Sequence, residues 1–165
     1  MCVFALLFAT FAYYRARHVE LYSLSQATLN QALGLTNTLL LLTSSWLVAL
    51  GIQAAREDRR RVAAPLFALA FACGAGFVLV KFFEYSDKVH AGITLTTNEF
   101  YSFYYVMTGL HLVHVLVGMV VLLFMCAKSG PAAPARIRLL ESGATYWHMV
   151  DALWIVIFPL LYLIR

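Results

Sequence analysis

The chain has 165 residues, 62% of them hydrophobic and 12% charged, with a mean hydropathy of +0.80; a soluble domain is about 45–50% apolar and about 25% charged. That excludes a water-soluble globular domain, and five membrane spans of roughly 20 residues would use about 100 positions, leaving little for a soluble appendage. The formal charge of +4 does not point to nucleic acid, because the basic residues sit in short loops between apolar runs, where orientation signals belong.

The first apolar run, residues 1–14, lacks a basic leading segment and a small-residue cleavage site, so it reads as a membrane span and not as a signal peptide. As a helix it would rise about 21 Å against a hydrocarbon core of roughly 30 Å, and we expect further residues ahead of Met1. Residues 15–32, with Arg17, His18, Glu20, Gln26, Asn30 and Gln31, read as a loop carrying an interfacial helix. A second apolar run covers 34–55. The basic stretch Arg56, Arg59, Arg60 and Arg61, with Glu57 and Asp58, then makes a tight turn, so the second and third spans are antiparallel neighbours.

The third run ends near Tyr85, residues 86–98 are polar, and the fourth run starts at Glu99. Gly130, Pro131, Pro134, Arg136 and Arg138 mark the next loop, and the fifth run ends the chain with Pro159 set to kink it. The fold expected is all-α: one polytopic membrane bundle of about five transmembrane helices, near 1–15, 34–55, 62–85, 99–127 and 142–164. Seven basic residues fall on one side (Arg56, Arg59, Arg60, Arg61, Lys128, Arg136, Arg138) and four on the other (Arg15, Arg17, Lys88, Arg165). The positive-inside rule puts the richer side, and the N-terminus, in the cytoplasm. No internal repeat of fixed period supports an inverted-repeat transporter. Cys2, Cys73 and Cys126 are odd in number and lack C-x-x-C spacing, which argues against a disulfide framework or zinc site.

An ionisable side chain at the bilayer centre costs about 2.5–3.5 kcal/mol on insertion scales, so each needs a partner, a cavity or a route to the interface. Lys81 and Glu84 lie three apart on one helical face. They suit an ion pair or snorkelling, and alternatively a proton or ion carrier. His111 and His114 share a face of the fourth span, and His148 and Asp151 a face of the fifth, at similar depth. One reading is polar glue between helices, with Asp151 fixing an imidazole tautomer; the other is a haem or metal site built on His111, His114 and His148. Against the second, no paired Glu-x-x-His motif occurs, and two His at i and i+3 cannot be opposite axial ligands.

Two segments, taken in order, resemble subunit III of the haem-copper respiratory oxidases. KFFEY at 81–85, then FYYVMTGLHLVHVLVG at 103–118, is similar to that family's E-Y and F-x-x-T-G-x-H-x-x-H-V-x-x-G pattern. ESGATYWHMVDALW at 141–154 resembles its E-x-x-x-x-Y-W-H-F-V-D-x-x-W signature. FATF at 8–11, Asn37-Thr38 and Ser44-Ser45 agree less specifically. The resemblance implies an accessory subunit with no catalytic residues, metal or haem of its own, beside a subunit-I-like catalytic partner that carries haem and copper or iron. It implies phospholipid contacts and support of proton uptake. By the same resemblance Glu84, His111, His114, Glu141, His148 and Asp151 form a structural polar cluster. Trp147, Trp154, Arg59, Arg60 and Arg61 are then packing or lipid contacts. Lys81 stands where the family is usually neutral, and Leu112 where a small residue is usual. The family's proton-uptake carboxylate on the first span would fall before Met1. The basic turn and the Tyr13-Tyr14-Arg15 ending resemble the branch associated with nitric oxide reductases.

Overall fold

The structure is a computed structural model that describes residues 2–27, 29–94, 98–129 and 137–163, without the side chains of Cys2, Ala27 and Arg60. It contains six α-helices among those residues: α1 Cys2–Arg17, α2 Val19–Ala27, α3 Gln31–Arg56, α4 Arg60–His90, α5 Glu99–Lys128 and α6 Ile137–Phe158, the last continued by a π-helical segment Pro159–Leu163. Four are long and apolar enough to cross a membrane, within Gln31–Arg56, Arg61–His90, Glu99–Lys128 and Ile137–Leu163. The 16 residues of α1 rise about 24 Å. α2 is a helix within 15–32, the stretch where an interfacial helix is expected. The proline-bearing loop, with Gly130, Pro131, Pro134 and Arg136, lies outside the described residues.

Local chemistry sets the helix ends. Asn30 and Asn98 cap α3 and α5, their side-chain oxygens accepting from the Ala32 and Tyr101 backbone amides at 3.0 Å each. The α3–α4 turn closes with Asp58 at φ 56°, a left-handed conformation that Asp tolerates better than most residues, and the Arg59 amide reaches back to the Ala54 carbonyl at 2.8 Å. α4 runs on to His90, past the apolar run, because Lys88 is drawn inside over the Tyr101 and Tyr104 rings instead of opening a loop.

α3 to α6 pack as an antiparallel bundle, α3 against α4 and α6, and α5 against α4 and α6; α1 and α2 lie along α5. Close approach is bought with glycine: a Cβ on Gly118 would meet the Trp147 ring at 2.7 Å, and one on Gly51 the Phe67 ring at 2.7 Å. Leu39, Trp46, Leu79, Phe82, Phe83, Val113, Val120 and Leu123 face outward, an apolar girdle suited to lipid tails.

Pro159 ends the regular part of α6, since it has no amide hydrogen and its ring clashes with the preceding turn. The side-chain amides of Gln26 and Gln31 then donate to the Leu160 and Tyr162 carbonyls at 3.2 and 3.0 Å. The α2–α3 corner thereby serves the carbonyls of the π-helical segment, which helical bonding alone leaves open.

Candidate functional site

Lys81 is fully buried and Glu84 is 3% exposed. The Lys81 ammonium donates to Glu84 Oε2 at 2.7 Å and to the Tyr162 hydroxyl at 2.9 Å, and that hydroxyl donates to Glu84 Oε1 at 2.5 Å. The rings of Trp154, Tyr162 and Tyr104 surround the ammonium at 4.8, 5.3 and 5.5 Å. The i,i+3 spacing provides the pair. Snorkelling is not what happens, because Tyr162 and the aromatic box hold the ammonium inside the bundle. Sequence reasoning missed Tyr162, whose one signal was a lone hydroxyl in the apolar run 159–164.

The three imidazoles have different immediate partners. His111 is buried, stacked on Trp154 with centroids 5.3 Å apart and edge-on to Phe77 at 5.6 Å, and neither of its nitrogens has a protein partner among the described residues. His114 Nδ1 donates to the Leu110 carbonyl at 2.8 Å while its ring meets Phe4 of α1 at 5.5 Å. His148 Nδ1 is hydrogen-bonded to Ser45 Oγ at 2.5 Å across the α3–α6 contact. Among the described residues no group of three or more His, Cys, Asp or Glu side chains could hold a metal ion, and His111, His114 and His148 each have different neighbours. Asp151 is buried beside Ser45 of α3, so the carboxylate faces a hydroxyl across the helix contact.

Trp154 Nε1 donates to Thr38 Oγ1 at 3.1 Å, and Trp147 is buried over Gly74 and Gly118; both indoles serve packing inside the bundle. Glu141 Oε1 accepts from Arg56 Nε at 2.9 Å and Nη2 at 2.6 Å, joining α6 to α3 at the rim. Arg59 reaches Glu57 at 3.4 Å and Arg61 is exposed; the Arg60 side chain lies outside the described residues. Outside the spans, burial, with Glu99 and Tyr14 adding to it, pushes the Tyr22 phenol up to about 12. It stays protonated as α2 packs it against Phe11 and Phe100.

The E-Y, T-G-x-H-x-x-H and Y-W-H-x-V-D segments therefore all face one interior, with α4, α5 and α6 contributing in turn. The family described as "Cytochrome c oxidase subunit III" matches residues 22–164. The chain belongs to the cytochrome c oxidase subunit III family. Among relatives of this subunit III chain, cytochrome c oxidase subunit 3 of Thermostichus vulcanus is 34% identical over 131 residues, covering 78% of this chain and 64% of the relative. That of Corynebacterium diphtheriae is 32% identical over 167 residues, covering 98% and 81%. The probable cytochrome c oxidase subunit 3 of Mycobacterium bovis is 30% identical over 130 residues, covering 78% and 64%. The chain thus spans about 64% of the length of the mycobacterial relatives it matches.

Proposed function

We propose that this subunit III chain is an accessory, non-redox subunit of a respiratory haem-copper oxidase. It packs against a subunit-I-like catalytic partner that carries the haem and the copper or iron, contacts phospholipid, and supports electron transport coupled to proton uptake. The observation that carries this reading is the fate of the ionisable groups within the spans. Lys81, Glu84 and Tyr162 close on one another, and His148 on Ser45, so polar chemistry is spent on joining helices. A substrate path would instead keep such groups open to a cavity.

In this reading α1 is a fifth membrane helix, the N-terminus is cytoplasmic, and the protein is multi-pass in a bacterial inner membrane. Arg59, Arg60 and Arg61 sit at the lipid headgroups. The names of the relatives support oxygen as the acceptor. The basic turn and the Tyr13-Tyr14-Arg15 ending of α1 favour the nitric oxide reductase branch as the second reading.

The test is purification of the tagged chain from native membranes in mild detergent, with identification of co-purifying proteins and an optical spectrum. A haem-bearing catalytic subunit is expected to co-elute, and its copper or non-haem iron content decides between the two acceptors. A chain that elutes alone and colourless overturns the accessory role.

A further inference from the structure

The four long helices meet in a layer at the centre of the bundle. Ser44 of α3 donates to the Ala70 carbonyl of α4 at 2.8 Å. In this antiparallel pair, two turns back along α3 lies Asn37 and two turns on along α4 lies Phe77, each about 10 Å away. Trp154 of α6 reaches the same level: its indole N–H donates to Thr38, the residue next to Asn37, and its ring stands edge-on to Phe77 at 4.9 Å. His111 of α5 completes the layer against both rings. We infer that this layer holds a bound water molecule bridging the Asn37 side-chain amide and the His111 imidazole.

Both side chains are wholly buried. Nδ2 and Oδ1 of Asn37 and both ring nitrogens of His111 have no protein partner among the described residues. An amide carries donors and an acceptor, and a neutral imidazole one of each; such groups left open in an interior are strongly disfavoured. The polar groups around them are engaged elsewhere. Thr38 accepts from Trp154 and donates to the Gly34 carbonyl at 2.9 Å. Ser44 is held by Ala70, and the Lys81 ammonium, one turn outward from Phe77, by Glu84 and Tyr162. The occupant that answers both must donate and accept at once, as water does.

Topology gives the bridge its purpose. α3 packs on α4 and α6, and so does α5, which sets α3 and α5 across the bundle from one another. A water between Asn37 and His111 therefore ties together two helices that are not packing neighbours. A larger ligand would have to part Phe77 from Trp154, both fully buried. A metal ion would lack ligands, since among the described residues no group of three His, Cys, Asp or Glu side chains gathers. Buried waters make about three hydrogen bonds each, a number that the two amide atoms and one ring nitrogen can supply.

The experiment is a density map of the tagged chain, purified from native membranes with whatever accompanies it, at a resolution that shows ordered water. A peak about 2.7–3.2 Å from both an Asn37 side-chain atom and a His111 nitrogen is expected. A direct Asn37–His111 hydrogen bond, or no peak bonded to both, overturns the proposal. A double-mutant cycle in thermal denaturation reads the same bridge in solution. Asn37→Leu and His111→Phe each leave the other group open in the interior and should lower the midpoint by about 2–8 °C. The double variant leaves neither open and should recover most of the loss; additive losses count against the bridge. All four corners of the layer belong to this chain, so the result reads the same whether or not a catalytic subunit co-purifies, and its failure leaves the accessory role standing.

Discussion

At the scale of residues, Lys81 and Glu84 make the sharpest statement. A buried pair repays its desolvation only when geometry and further hydrogen bonds are good, and removing one partner leaves an uncompensated charge at about 3–5 kcal/mol. Lys81→Met is therefore expected to lower the thermal midpoint of the purified protein and the yield of folded chain, whereas Lys81→Met with Glu84→Gln should recover most of the loss. A double variant as unstable as the single would show that the pair is not the cause. His148→Leu strands Ser45, and Asp151→Leu replaces the buried carboxylate beside the same serine with a larger apolar side chain that cannot bond to it. Each should reduce recovery of the intact complex, and unchanged yield and activity would contradict that. The Lys81–Glu84 contact was legible because i and i+3 share a face whatever the fold. Tyr162 was not legible, since it lies 78 residues from Glu84 and its direction depends on the π-helical turn after Pro159. The partners of the imidazoles were not legible for the same reason. Spacing fixed their depth, but ring packing decided which way each faces.

At the scale of elements, two glycines of α5 separate helix propensity from packing. Nothing lies within 4 Å of a Cβ built on Gly109, whereas one on Gly118 strikes the Trp147 ring at 2.7 Å. Alanine is the better helix former by roughly 0.5–1 kcal/mol, so Gly109→Ala should be neutral or stabilising in thermal denaturation. Gly118→Ala should lose about 1–3 kcal/mol by forcing the α5–α6 contact apart. Equal effects at the two positions would mean that α6 does not seat Trp147 there. The long helices were readable from unbroken apolar runs. Their ends were less so, since the burial of Lys88 under two tyrosine rings extends α4 by a turn that composition assigns to a loop. α2 was anticipated only as an interfacial helix, and its Gln26 contact with the Leu160 carbonyl, together with that of the adjoining Gln31 with Tyr162, depends on a defect at the other end of the chain.

At the scale of the whole molecule, an even alternation of antiparallel helices puts the α3–α4 turn and Ser129 at one end of the bundle and the α4–α5 turn at the other. The proposed orientation, which rests on the asymmetry of basic residues, puts the first end in the cytoplasm. His18 and Ala91 then lie on the outer side, where Asn98 donates to Ser25 of α2 at 3.1 Å. This is testable with single cysteines in a background where Cys2, Cys73 and Cys126 are serine. A membrane-impermeant thiol reagent applied to intact spheroplasts should label Ala91→Cys and His18→Cys, and should reach Asp58→Cys only in inverted vesicles. Labelling of Asp58→Cys from outside would reverse the orientation. Labelling of Asp58→Cys and Ala91→Cys from the same side would remove α4 as a crossing helix. An N-terminal tag protected in spheroplasts while His18→Cys is labelled would make α1 the fifth span: its ends would lie on opposite sides although its 16 residues rise only about 24 Å. Such a short span must tilt little and draw the bilayer inward around it, an accommodation whose cost grows by a fraction of a kcal/mol per Å of mismatch.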